Sequence, residues 1–439
     1  MTTAVDRDIR LNNVVPLVNG DEPDFVQEIR SRAAERFRTL GLPTTRMEEW
    51  RYTSLASVGR TDFRLDSRIH REDFRDSPAS LCSHAIAELV FVNGSFAGQT
   101  CGAIGDHPSV RVTAMREAMR SETFHQHYAR YADSDGQAMT ALNTALAQDG
   151  AFIEIASGTV IEGFIHLLFF GEATDAPVMS HPRNLIVVGK GSQITVVESY
   201  LGRGAYLTNT VTEIAAGEGS VVDHYKLECE SADAIHVGTL QIHQERASSV
   251  TARNVSTGGL LVRNETRVAL DGEGASVTLE GLFALSGKQH ADNQTVVDHL
   301  RPHCDSMQLY KGVLDQSARG VFDGRIVVRP NAQKTNSRQV NHNLLLSETA
   351  IIDSKPTLEI HNDDVKCTHG STIGQLDDEA LFYLQARGIG QEDARHLLVY
   401  AFASEIVERM KIEPVREQIR RALFTAIPQR LSEHREVPQ

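Results

Sequence analysis

One short run of this chain sets soft metal ligands, carboxylates and a flexible glycine side by side: His361-Asn362-Asp363-Asp364-Val365-Lys366-Cys367-Thr368-His369-Gly370. A thiolate and a neutral imidazole both bind soft or borderline metals. In an extended strand, residues i and i+2 share a face, so Cys367 and His369 can meet one ion together. Two ligands do not close a structural metal site, which takes about four. The others must come from elsewhere in this chain or from a second chain. Asp363 and Asp364 are candidates for orienting the imidazole as hydrogen-bond acceptors. The competing account of the pair is an inert, half-buried cysteine beside a surface histidine.

The remaining chemistry-bearing residues are weaker candidates. Cysteines stand at 82, 101, 229, 304 and 367, an odd number without a Cys-x-x-Cys. Neither a disulfide framework nor a four-cysteine cluster site within this chain is expected from that spacing. His125 and His127 sit in a helical context, where side chains at i and i+2 diverge. His290, Asp292, Asp298, His299, His303 and Cys304 form a second polar group, which corner hydrogen bonding explains at least as well as ligand binding. Gly189-x-Gly191, Gly217-x-Gly219 and Gly272-x-Gly274 lack the third glycine and the following helix of a dinucleotide site. No P-loop pattern occurs.

Net charge and hydropathy narrow the function further. A formal net charge of -14 opposes binding to nucleic acid or to an anionic membrane surface. The most apolar stretch, around Phe164 to Phe170, is far shorter than the roughly 20 residues of a membrane span. The N-terminal residues lack a charged-then-apolar leader pattern, so a cytoplasmic location is expected.

Three regions must position the Cys367–His369 run. Residues 1–149 read as mixed and largely helical. Asp24 is placed to cap a helix with Phe25, Ile29, Ala33 and Phe37 on its apolar side, and a second helical segment follows Ser109 with Met115, Met119 and Phe124. Residues 150–375 show short runs rich in Val, Ile, Leu and Thr between Gly, Asn, Asp and Ser turns. Gly189, Gly217, Glu245 and Gly272 begin equivalent units, at steps of 28, 28 and 27 residues. A fixed period of short strands without helices predicts stacked coils of chain, since one coil cannot bury its apolar face alone. A parallel β-helix is the expected solution and a β-sandwich the alternative. In residues 376–439 the helical period returns. Asp377 caps a first helix that Gly388 stops, a second runs from about Gln391 to Lys411, and a third begins near Pro414. These helices serve either as the solenoid's cap or as a docking module.

Several motifs together resemble the SufB/SufD family. They are Tyr310 to Asp315, Ala318 to Gly324, Ala332-Gln333-Lys334-Thr335, Asn341 to Ser347, Ser354-Lys355-Pro356, Asp363 to Gly370, and Leu381 to Leu384 with Arg387-Gly388-Ile389. Glu48-Glu49-Trp50-Arg51-Tyr52-Thr53 looks like the entry motif of the SufD branch, and no cysteine-rich N-terminal region marks the SufB branch. The resemblance implies a mainly β fold, a right-handed parallel β-helix flanked by N-terminal and C-terminal helical domains. It implies a non-catalytic scaffold for iron–sulfur cluster assembly. The partners it implies are SufB, through the β-helix, or a second copy of this chain, and the ATPase SufC, through the C-terminal helices. By the same resemblance Cys367 and His369 fall at the partner interface, beside a transient cluster that this chain alone does not hold. Two readings remain beside it: a purely structural subunit with an inert Cys-x-His, and a β-helix enzyme cleaving acidic polysaccharides. The last would need groove carboxylates and aromatic platforms, and aromatic residues make up only 6% of the chain.

Overall fold

The structure, a computed structural model, describes residues 7–9, 22–65, 79–102 and 108–426. Its repeat region is a stack of coils in parallel register. Gln193 lies beside Val221, Val221 beside Ser249 and Ser249 beside Ser276, which reproduces the steps of 28, 28 and 27 residues. The stacking then continues past the last glycine pair, to Asp305, Asn336 and Lys366. A facing sheet climbs in parallel through Leu207, Ile235, Leu261, His290, Arg319 and Ile351. The outcome is a β-solenoid of about 8 turns, with ten strands in one sheet and twelve in the other. Alternate residues of each strand point inward. Ile194, Val196, Val222, Val250, Val277 and Leu279 meet Ile214, Ile242, Val268 and Val297 there and form the apolar part of the core.

The corners explain why the period was visible only in places. Gly191, Gly219, Ala247, Gly274, His303 and Lys334 all take the left-handed conformation at one corner of successive coils. Each donates its backbone N–H to a carbonyl one coil further on, from Gly191 to Glu218 through Lys334 to Asp364, at 2.8–3.2 Å. Three of the six corners use a residue with a Cβ, which costs about 1 kcal/mol each. A search for glycines therefore finds half the series.

Helices cover the two outer faces. On the twelve-stranded sheet lie α1 (Asp24–Leu40), α2 (Met115–Ala118), α3 (Glu122–His127) and α4 (Ala138–Leu146). Ala33, Phe37, Ala141, Leu142 and Ala145 of α1 and α4 pack there with Trp50 onto Leu207, Ile235 and Val237. On the ten-stranded sheet, α6 (Gln391–Val407) and α7 (Glu413–Ala426) bury Val399, Ile406, Val415 and Ile419 against Tyr225, Val255, Leu282 and Leu309. Between the solenoid and α6, α5 (Asp378–Ala386) has no buried residue. Asp377 caps it as expected, accepting from the backbone N–H groups of Glu379 and Ala380. Among the described residues, no helix is long and apolar enough to cross a membrane.

Two sequence expectations need correction, and the part before residue 150, read as mixed and largely helical, also supplies strands to the solenoid. Ala87–Val92 pairs in parallel with Ile165–Glu172, so the ten-stranded sheet draws strands from both sides of the expected 149/150 boundary. The segment after Ser109 opens as a strand, Val110–Ala114, antiparallel to Ala151–Ile155, and turns helical only at Met115. At α1 the N-cap position belongs to Pro23, and Asp24 supplies negative charge in the first turn instead.

Candidate functional site

Cys367 and His369 lie on Lys366–Gly374, the last strand of the ten-stranded sheet. The facing sheet ends at Ile351–Ile360. Among the described residues, no strand pairs with the outer edge of either. An unpaired edge presents a row of free backbone donors and acceptors to another chain. This end is also apolar: Ile351, Ile360 and Ile373 are 54%, 42% and 54% exposed.

Register fixes which way the side chains of the last coil point. Cys367 pairs with Ser337, His369 with Gln339 and Ser371 with Asn341, and those three partners are buried inward-facing residues. Cys367 and His369 therefore share the inner face of an uncovered coil, with the thiol half-buried and the imidazole exposed. The thiol packs with Val365 and Leu358 over Ile326, Val328 and Ala332. Burial there pushes its pKa above the ordinary value, so a metal or a partner's cation is what would favour the thiolate.

Behind each residue of the last coil runs a ladder of polar side chains. Ser337 Oγ meets Ser306 Oγ at 2.7 Å behind Cys367, and Ser306 meets His299 Nε2 at 2.9 Å. Gln339 Nε2 donates to Gln308 Oε1 at 3.3 Å behind His369. Ser371 Oγ lies 2.8 Å from Ser354 Oγ, which bonds Asn341 Oδ1 at 2.8 Å.

Deeper in the solenoid lies a buried charged cluster that sequence reasoning missed. Its members sit at inward positions where alternation would place apolar residues. Glu198 Oε1 is 3.0 Å from His224 Nε2. Burial opposes its charge, but His224, Tyr200 and Lys226 hold the Glu198 carboxyl down at about 2. Lys226 Nζ stands 3.0 Å from Glu228 Oε1 and 2.8 Å from His236 Nε2, and His236 Nδ1 is 3.0 Å from Glu230 Oε2. Among the described residues, no three or more His, Cys, Asp and Glu side chains converge as a metal site.

The other candidates resolve into structure. Asp364 is engaged by Lys334 Nζ at 2.8 Å and precedes the strand, so it does not orient His369. His127 Nδ1 meets Tyr131 OH at 2.6 Å, Asp298 pairs with Arg329, and Cys304 is buried. The Glu48-Glu49-Trp50 motif straps the outer face of the twelve-stranded sheet. The Trp50 ring lies 3.8 Å from the Arg263 guanidinium, and Arg263 pairs with Asp292. Thr53 Oγ1 reaches His290 Nε2 at 2.8 Å, and Glu48 Oε1 meets Lys355 Nζ of the last coil at 2.5 Å.

Comparison with known proteins agrees with this architecture. Residues 169–402 match the family described as SUF system FeS cluster assembly, SufBD core domain, and residues 13–167 match the SufBD protein N-terminal region. An iron-sulfur cluster assembly SufBD family protein of Synechocystis is 32% identical, over 96% of this chain and 95% of its own length. The iron-sulfur cluster assembly protein SufD of Escherichia coli is 28% identical, over 88% and 90%. SufD of Bacillus subtilis is 25% identical, over 91% and 93%.

Proposed function

The chain belongs to the SufBD family of the SUF iron–sulfur cluster assembly system, and from that premise we propose that it is a SufD-like, non-catalytic scaffold subunit acting in the cytoplasm. Its bare last coil docks end to end with SufB, or with a second copy of this chain. Cys367 and His369 are its contribution to a shared site in which a nascent cluster is held as cargo. SufC docks on the C-terminal helices and supplies the ATP hydrolysis. The right-handed coil usual for parallel crossovers suits this arrangement.

One observation supports the reading above all: two soft ligands share the inward face of a coil whose outer edge no described strand pairs with. An iron–sulfur cluster takes four protein ligands, and this chain offers two at an unpaired sheet edge. A site split between subunits closes when the ends meet and opens when they part, which suits a protein that must release what it assembles. Burial of the thiol adds a second device, because the free subunit keeps Cys367 protonated and holds metal poorly until a partner arrives.

Two experiments test this. Reconstitution of the complex with Cys367→Ala and His369→Ala should lower bound iron and sulfide together. Undiminished cluster formation would leave the structural-subunit reading in possession. For SufC, deleting residues 377–439 would strip the apolar cover from Tyr225, Val255 and Leu282 and confound the result. Substitution on α5 avoids this, because Phe382 and Tyr383 are 71% and 56% exposed. Phe382→Asp with Tyr383→Ser should abolish copurification with SufC, and retained binding would place the ATPase elsewhere.

A further inference from the structure

We propose that Gln339 is the positioning residue for His369. Its side-chain carbonyl, unpartnered in the structure, lies one rung behind the imidazole, and rotation of the His369 side chain brings one ring N–H onto it and so aims the lone pair of the other nitrogen at the shared metal site. The proposal rests on the reading of His369 as a ligand and names what orients it.

The first support is register. Gln308 pairs with Gln339, and Gln339 pairs with His369, on the inner face of three successive coils. Paired residues of adjacent parallel strands stand about 4.8 Å apart with side chains on the same side. Amide side chains stacked in this way bond each to the next. The second support is direction. Gln308 Oε1 receives Thr295 Oγ1 at 2.7 Å and Gln339 Nε2 at 3.3 Å. One N–H of the Gln339 amide is therefore directed at the coil behind it. Its acceptor end, Oε1, is buried and has no hydrogen-bond partner, in a residue that is itself fully buried. A buried carbonyl without a donor is costly, and the next rung of the ladder is an imidazole.

The third support comes from the facing sheet. A Cβ on Gly324 would stand 2.2 Å from Gln339 Nε2, so the glycine clears the space that the amide occupies. The chemistry then follows from the imidazole. In its neutral form one nitrogen carries hydrogen and the other holds the lone pair, and a hydrogen bond at the first decides which is which. Ligating histidines are almost always fixed in this way. Of the two carboxylates that sequence proximity offered, Asp364 is held by Lys334 and Asp363 precedes the strand as Asp364 does, which favours a group from the interior.

The test reads the tautomer of His369 directly in the full chain, by long-range proton–nitrogen correlation with 15N-labelled histidine. His369→Ala assigns the signal. The wild type should show one tautomer, Gln339→Leu should show both, and Gln339→Glu, which keeps an acceptor, should restore the single one. If Gln339→Leu does not fold, Gly324→Ala displaces the amide and is read in the same way. Two tautomers in the wild type, or one tautomer unchanged by loss of the acceptor, would overturn the assignment. Cluster formation that survives His369→Ala would end the ligand reading while leaving the tautomer result standing, so the two failures are distinguishable.

Discussion

Glu230 makes the stability of this protein depend on pH in a direction opposite to that of an ordinary ion-paired carboxylate. Its Oε2 lies 3.0 Å from His236 Nδ1, and Thr208 Oγ1 donates to its Oε1 at 3.2 Å. Glu230 Oε2 and His236 Nδ1 are both buried without a hydrogen-bond partner. A proton placed on the carboxyl would let each satisfy the other. Burial pushes Glu230 up to about 8, with Lys226 and Thr208 opposing, from an ordinary value of 4.5. Burial and Lys226 likewise push His236 down to about 3. Between about pH 4.5 and 8 the folded chain thus holds a proton that the unfolded chain has released. Folding stability falls as pH rises through that window, by about 1.4 kcal/mol per pH unit. At pH 7 the accumulated loss is about 3 kcal/mol. Glu230→Gln keeps the shape and removes the titration. The variant should therefore be more stable than the wild type at neutral pH, by a margin that grows with pH. Urea unfolding of both proteins, followed by circular dichroism from about pH 5.5 to 7.5, should show the margin widening by about 3 kcal/mol. His236 contributes stability that is lost as pH falls below 6.5, alike in both proteins, and cancels in the difference. A margin that stays flat across the range would mean that Glu230 is ionised in the fold and paired with Lys226, and the shared-proton argument would fail.

Three further outcomes follow from packing and backbone geometry. A Cβ at Gly219 meets nothing within 4 Å, so Gly219→Ala should cost only the left-handed backbone strain, about 1 kcal/mol; at the equivalent corner Ala247→Gly should recover up to a similar amount, both read from unfolding midpoints. Arg183 pairs with Glu213 at 2.6 Å where both side chains are fully buried. Arg183→Met leaves that carboxylate without its cation, and calorimetry should register a loss of about 3–5 kcal/mol. Trp50→Ala removes the buried ring against Arg263, at a cost of about 3–5 kcal/mol, and should expose the N-terminal strap to limited proteolysis before the solenoid is cut.

How much the sequence disclosed depended on which physical signal each feature leaves. The coil period was legible at Gly191, Gly219 and Gly274, because a left-handed corner favours a residue without a Cβ. At Ala247 only the spacing carried it, without the glycines, and it was lost where His303 and Lys334 take the same conformation and the cost is carried by stacking. Asp377 and Gly388 marked the first C-terminal helix because capping is local chemistry. The strand Ala87–Val92 escaped notice because its place in the ten-stranded sheet depends on a partner more than 70 residues away. The Cys367–His369 pair was legible because i, i+2 spacing decides a strand's face without knowledge of the fold. Gln339 was not, because its relation to His369 exists only across a coil boundary 30 residues long. The interior cluster around Lys226 was hidden for a related reason: alternation assigns inward positions to apolar residues, and polar groups there betray themselves only when their partners on the facing sheet are known.

The two ends of the ten-stranded sheet are finished differently, and the contrast bears on function. At one end the chain folds back, and Ser95–Cys101 pairs antiparallel with Ala87–Val92. At the other, no described strand pairs with the outer edge of Lys366–Gly374, and the following residues leave for α5 and the outer face. Solenoids need a cap wherever their edge would otherwise recruit another chain. Among the described residues, three helices follow residue 377, two of them lie on the side of the sheet, and none covers the edge. The last coil carries three exposed isoleucines and the soft ligand pair, and the coil beneath it carries Gln339 of the glutamine ladder. Apolar surface and unpaired backbone each cost the isolated chain stability. Their coincidence with the ligand pair on one coil is intelligible if that coil is covered when the protein works, with the partner offsetting both costs in a single contact.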